Sequence, residues 1–325
     1  MKTKFKTVEY VNGICASREK DLVGKERIFR MADAENLTSA YEILRETAFG
    51  GENSLPATEY ATLIDCEEER LLKFVKEYAP SQEILSFCLI EKDFYNAEVL
   101  VKGQHIKTDC TNLLESEGLY SVEQITSLVN GEENKEICKE LKNAVRESKI
   151  ALNDGKGGMA VGSIFTNYKF AFLKKTVKSG YLAKLLTKQI DGINLCALLR
   201  AGDYQLAKEQ IIAGGTLKEQ QMVSISSRDL SLIKKALSDH YLKEIALKGA
   251  VCVADGKPLI DVERELSSLY ANRMEEGKYT EQSGSFPFMR YYIRRKNEIA
   301  CVRTVLTGKA NSLDADQIKR RLITV

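Results

Sequence analysis

An all-α protein is what this sequence predicts. Only 4 prolines and no tryptophan occur in 325 residues. Leu, Lys, Glu and Ala, all strong helix formers, are abundant. Apolar positions recur at helical rather than alternating spacing. At roughly 100 to 200 residues per domain the length implies two or three domains. Hydrophobic residues at 44% and charged residues at 29% are ordinary for a globular chain that folds in water, which argues against disorder and against membrane spanning.

The formal net charge of +2 gives no global field of the kind that nucleic-acid binding requires, so any basic surface must be local. No stretch approaches the ~18 uncharged apolar residues of a membrane helix. Met1 to Val11 is polar and charged, without a signal peptide's apolar centre. These readings place the protein in the cytoplasm or peripheral to a membrane. Eight cysteines (Cys15, Cys66, Cys88, Cys110, Cys138, Cys196, Cys252, Cys301) lie far apart with no CxxC pair, which speaks against disulfides and zinc. On apolar helical stripes they act as small hydrophobes in a reducing compartment.

The first helical elements come as an internal repeat. Lys92 to Gly103 (KDFYNAEVLVKG), Ile190 to Ala201 (IDGINLCALLRA) and Asn297 to Gly308 (NEIACVRTVLTG) align Asp93, Asp191 and Glu298, and then Asn96, Asn194 and Cys301 three residues on. Leu100, Leu198 and Val305 follow, each with an apolar neighbour, so each segment reads as a packed helix. A second element comes after a polar stretch: YSVEQI from Tyr120, LKEQQM from Leu217 and LDADQI from Leu313, each with glutamine four positions on. Ser121 with Gln124, and Asp314 with Gln317, have the form of helix caps. Asp93 and Asp191 are 98 residues apart, and Asp191 and Glu298 are 107 apart, which gives one repeat per hundred residues or so.

Further helices are expected at Asn36 to Thr47, Ala57 to Tyr78, Glu133 to Asn153 and Leu259 to Glu276. Gly50-Gly51, Asn153-Asp154-Gly155, Gly214-Gly215, Asp255 to Pro258 and Ser283-Gly284 mark loops. The chain divides into repeat domains at 1–118, 119–214 and 215–325.

Catalytic material is scarce. His105 and His240 are too few for a metal cluster or a Ser-His-Asp triad and read as surface or helix-end residues. Gly155 to Ser163 (GKGGMAVGS) lacks the Walker pattern and a preceding strand, and reads as a flexible helix–helix loop. Gly24-Lys25 and Gly308-Lys309 fail the same pattern. Asp65, Glu67, Glu68 and Glu69 point in different directions around a helix, which predicts a solvated face rather than a cation site. No cofactor or metal is expected.

The C-terminal region is basic. Arg290 to Val325 holds nine cations (Arg290, Arg294, Arg295, Lys296, Arg303, Lys309, Lys319, Arg320, Arg321) against Glu298, Asp314 and Asp316. Lys296 and Arg303, seven apart, fall within the helical stripe of Tyr292, Ile299 and Leu306. Either they snorkel at its edge, or they line a cavity or meet a partner. With Arg290, Arg294 and Arg295 they are the candidate partner or cavity contacts. Glu91 and Glu98 hold the matching positions of the first repeat and could pair with them if the two repeats face each other.

The run from Tyr291 to Leu322, YYIRRKNEIACVRTVLTGKANSLDADQIKRRL, resembles the ending of the C subunits of A- and V-type ATPases. That family shows an aromatic pair, a charged stretch, EIxNIRxIL, GK, a leucine followed by acids, and IxxRL. DFYNAEVLVKG resembles its DFhNLKxLLKG, and DAENLTSAYEILRETAFG from Asp33 resembles its first unit. The likeness spans the chain and is weakest from Lys135 to Lys188. Cys301 departs from the family's asparagine, which predicts a missing local hydrogen bond in the third repeat. The resemblance implies three helical-bundle domains in a funnel about a pseudo-threefold axis. It also implies a non-catalytic connector between the rotating shaft of subunits D and F and the membrane proteolipid ring, which links ion transport indirectly to the A/B headpiece. Neither nucleic acid nor direct membrane insertion enters that role. A free-standing α-solenoid adaptor is the alternative, although solenoid repeats are usually ~20 to 45 residues. An enzyme using the Gly155 loop is the third reading.

Overall fold

The computed structural model describes residues 5–51, 55–116, 118–132, 134–178, 180–277 and 284–323, and among them the regular structure is entirely helical. The all-α expectation is met. The helices are α1 (Val8–Arg18), α2 (Lys25–Asp33), α3 (Leu37–Arg45), α4 (Tyr60–Tyr78), α5 (Gln82–Ile106), α6 (Val122–Asn130), α7 (Lys139–Asn153) and α8 (Gly158–Thr176). They continue as α9 (Gly180–Ala201), α10 (Tyr204–Ala207), α11 (Glu219–Ser226), α12 (Leu230–Ala236), α13 (Lys243–Ala254), α14 (Ile260–Glu276), α15 (Phe286–Ala310) and α16 (Ala315–Lys319). Each segment expected to be helical overlaps one, although the segment from Glu133 becomes helical only at Lys139 and the one from Ala57 opens with a 3-10 turn. The repeat segments are the central or C-terminal stretches of α5, α9 and α15. Glu133 and Ser283, which belong to expected segments, lie outside the described residues, as do Met1 to Lys4.

Caps fix where several helices begin. Asn36 Oδ1 accepts from Ser39 N at 2.9 Å to start α3. Ser121 and Gln124 form a reciprocal capping box on α6, with Gln124 N to Ser121 Oγ at 3.2 Å and Ser121 N to Gln124 Oε1 at 2.9 Å. Gln221 accepts from Lys218 N at 2.9 Å, and Asp314 accepts from Gln317 N at 2.7 Å. The recurring glutamine therefore marks a helix start all three times.

The chain gathers into two compact units, 1–84 with 260–325, and 85–259. In the first, α15 is the central helix and touches α1, α2, α3, α4, α14 and α16. Its Phe288, Met289, Val302, Val305 and Leu306 are fully buried. Phe74 of α4 stacks on Phe288 at 5.5 Å between centroids and meets Tyr291 edge-on at 5.0 Å.

In the second unit α9 is the most buried helix, and α7 and α8 form an antiparallel hairpin beside it. Here the sequence reading of Gly155 to Ser163 is corrected. The loop closes within residues 154–157, where Gly155 takes φ +78° and Lys156 N bonds Ala151 O at 2.9 Å. The remaining glycines belong to α8 and pack it onto α5. A Cβ at Gly162 would lie 3.3 Å from Glu98 Oε1, and one at Gly158 3.7 Å from Lys102 Cε. Phe165 meets Phe94 edge-on at 6.4 Å in the same contact.

Candidate functional site

Asp93 with Asn96 on α5, and Asp191 with Asn194 on α9, are three residues apart and so share a helix face. All four are buried. Asn96 Nδ2 donates to Glu115 O at 3.1 Å and its Oδ1 accepts from Glu115 N at 2.8 Å. Asn194 makes the same pair with Ile212, at 2.9 and 2.8 Å. One amide side chain thus satisfies both backbone groups of a returning connector. The aspartates pin the connector's end: Asp93 accepts from Leu119 N (2.8 Å) and Tyr120 N (3.2 Å), and Asp191 accepts from Thr216 N (2.6 Å) and Leu217 N (3.3 Å). Glycine precedes each pinned turn for lack of room. A Cβ at Gly118 would stand 2.5 Å from Asp93 Oδ1, and one at Gly215 2.1 Å from Asp191 Oδ1.

On α15 the same positions work differently. Tyr120 follows Asp93 by 27 residues and Leu217 follows Asp191 by 26, but Leu313 follows Glu298 by only 15. The partner of Glu298 comes instead from the loop before α2, where Gly24 N donates to Oε1 at 3.0 Å. Cys301 Sγ reaches Ile323 O at 3.7 Å, so the asparagine's paired donor and acceptor give way to one weak thiol contact. Burial pushes the Cys301 thiol up to about 11.

Buried charge surrounds Glu298. Arg295 donates through Nε and Nη2 to Glu67 Oε1, at 3.0 and 2.5 Å, and through Nη1 to Glu298. Glu67 Oε2 accepts from Gly50 N and Arg70 Nη1, both at 2.9 Å. Burial opposes the charge on Arg295, but Glu67 and Glu298 outweigh it and raise its pKa. Burial likewise drives the Glu298 carboxyl upward, against the pull of Arg295. The expectation of a solvated face holds for Asp65, Glu68 and Glu69, which are exposed, and is corrected at Glu67, which is 3% exposed because that side of α4 packs on α15.

The predicted contact residues separate into two groups. Arg290 and Arg295 are buried, and Glu19 takes Arg290 at 2.5 Å and Arg294 at 3.6 Å. Lys296 and Arg303 are exposed while Tyr292, Ile299 and Leu306 are buried, so both cations sit at the stripe's edge. Arg303 pairs with Glu68 at 2.9 Å and Asp65 at 3.7 Å. Glu98 pairs with Lys102 at 2.5 Å, and Glu91 with Lys169 at 3.1 Å.

Nothing among the described residues assembles a reaction centre. No group of three or more His, Cys, Asp and Glu there is arranged to hold a metal. The closest polar constellation is Asp191, Thr216, His240 and Tyr241. Thr216 Oγ1 lies 2.5 Å from Asp191 Oδ2 and 2.9 Å from His240 Nε2, and Tyr241 donates to Asp191 at 2.8 Å. Leu242 N donates to His240 Nδ1 at 3.2 Å, which leaves the proton on Nε2 to be given to Thr216. The hydroxyl therefore accepts from His240 and donates to Asp191, so the imidazole is not placed as its base, and Thr216 extends the hydrogen-bonded pin on Asp191. Sequence reading missed this cluster because its members are up to 50 residues apart. A cavity of about 240 Å³ lies in the first unit, lined by Leu22, Gly24, Ile28, Phe29, Arg294 and Glu298 among others. No helix among the described residues is long and apolar enough to cross a membrane.

Comparison with known proteins supplies the family. A profile described as ATP synthase (C/AC39) subunit matches residues 11–321. The chain belongs to the ATP synthase C/AC39 family. This C/AC39 chain is 19% identical over 325 aligned residues to the C subunit of the V-type sodium ATPase of Enterococcus hirae, covering 96% of this chain and 97% of that protein. The C/AC39 family is an accessory part of a V/A-type ATPase and not its catalytic part, so a role within a rotary ATPase fits. The resemblance read from Tyr291 to Leu322 is borne out at family level.

Proposed function

We propose that this C/AC39 protein is a non-catalytic coupling piece of a rotary ATPase. It joins the shaft of subunits D and F to the membrane proteolipid ring, and torque passes between the A/B headpiece and ion translocation through its body. The observation that carries this reading is the family match over residues 11–321. The match favours this reading over a free-standing solenoid adaptor. The pinned connectors and the buried Glu67–Arg295–Glu298 network support it as well, because torque transmission needs elements that do not slide. The division at 1–118, 119–214 and 215–325 into three related helical domains about a common axis belongs to the same proposal. So does a cytoplasmic, membrane-peripheral location.

Lys296 and Arg303, exposed on the central helix α15, are the proposed partner contacts. Tagged wild-type chain, recovered from gently solubilised membranes, should bring the shaft and ring proteins with it. K296E with R303E should lower recovery of the shaft while circular dichroism shows the isolated chain still folded, although loss of the Arg303 pairs with Glu68 and Asp65 lowers its melting. Recovery of no ATPase component with the wild type would end the proposal. Unchanged recovery with the double variant would remove these two contacts.

A further inference from the structure

A second basic cluster lies away from the C-terminus. Residues 135–142 and 174–178 together hold six lysines, no arginine, and only Glu136 and Glu140 as acids. The fold brings the two stretches to one end of the α7–α8 hairpin, where Lys175 Nζ meets Glu140 Oε1 at 3.1 Å. Lys174 and Lys175 have local duties, Lys175 in that pair and Lys174 through its Nζ, which reaches Ala213 O at 3.1 Å, and Lys178 is also engaged locally. Lys174 and Lys175 also sit in the last turn of α8, where the helix dipole favours cations. Lys139 and Lys142 are the opposite case. They occupy the first turn of α7, where the dipole disfavours positive charge, and Lys135 stands just before it. Concentrating cations against local helical preference calls for an external anion.

We infer that this end of the α7–α8 hairpin docks electrostatically on an anionic phospholipid surface. Lysine, a flexible point charge, suits diffuse attraction to a layer of phosphates, whereas geometric recognition of one phosphate draws on the arginine fork. Protein interfaces are depleted in lysine and built around aromatic or arginine anchors. No such anchor is present: the apolar residues Ile137, Leu141 and Val177 of these stretches are all buried. The contact is superficial, without insertion. Lipid docking of this kind lies beyond the coupling role and does not depend on it.

The test uses the purified full chain and sedimented vesicles of phosphatidylcholine, with and without about one third phosphatidylglycerol. Binding should require the anionic lipid and vanish in half-molar salt, because exposed charges are screened within a few ångströms there. The variant K135E/K139E/K142E/K178E should lose binding more than tenfold, given about fivefold per lysine. An equal charge change elsewhere, K208E/K234E/K235E/K257E, should keep most of it. Circular dichroism and melting confirm that each variant folds. Equal binding to neutral vesicles, equal loss in both variants, or no binding by the wild type would overturn the inference. So would a patch variant that binds vesicles normally yet drops out of the ATPase complex, since the surface would then belong to a protein. Because the vesicles carry no other part of the ATPase, failure here leaves the coupling proposal untouched.

Discussion

Arg295 is 5% exposed and is held between two carboxylates from different parts of the chain. Removing it by Arg295→Ala strands Glu298 as a buried anion, leaves Glu67 with Arg70 alone as its cation, and should cost about 3–5 kcal/mol, read from the urea midpoint. The cost should shrink when Glu298→Gln is added, because the stranded charge is gone. Asn194 and Cys301 make a second comparison. Asn194→Ala leaves two buried backbone groups of Ile212 unsatisfied and should cost about 2–3 kcal/mol, whereas Cys301→Ala, which loses one weak contact and a small side chain, should cost roughly half of that or less.

His240 gives the chain a pH dependence. Burial lowers its pKa below the ordinary value near 6.5. The unfolded chain therefore binds the proton more readily than the folded one. The stability it contributes is present above about pH 6.5 and is lost as pH falls toward the folded-state value. Protonation at Nδ1 also breaks the bond from Leu242 N, at the start of α13. Melting followed from pH 7.5 down to 5.5 should show falling stability, and His240→Gln should flatten that slope. An unchanged slope in the variant would place the titrating group elsewhere.

At the scale of elements, the pinned connectors govern how α5 and α9 pass to the helices that follow. Gly215→Ala should destabilise by about 1–3 kcal/mol, since its methyl would lie 2.1 Å from Asp191 Oδ1 and the turn must shift. Gly157→Ala, where a Cβ meets nothing within 4 Å, is the matched control and should be near neutral. Helices were legible in the sequence because a 3.6-residue apolar period survives without any knowledge of partners. The Asp–Asn and glutamine repeats were visible as letters for the same reason. What they bond was not visible: the partners are backbone groups 18 to 27 residues away, and a backbone amide leaves no mark in composition. Glu67 was misjudged because four acids near one another look solvated until it is known which of them faces α15. Gly155 to Ser163 was misjudged because glycine signals both a loop and close helix packing, and only the neighbouring α5 decides between them.

At the scale of the whole molecule, sequence pattern, helical fold and family match converge on a member of the C/AC39 family whose buried polar groups are spent on holding helices and connectors in place. Family membership was readable from the C-terminal thirty residues, since their pattern of aromatic pair, charged stretch and GK is dense enough to be specific. The domain division and the partner surfaces were less accessible, because a surface is defined by what covers it. The most direct test is coupling itself, measured in membrane vesicles carrying the ATPase with and without this chain. With the chain present, ATP addition should drive ion transport. Without it, the headpiece should still hydrolyse ATP while transport falls to background, and adding back purified chain should restore it. Full ATP-driven transport in the absence of the chain would contradict the account.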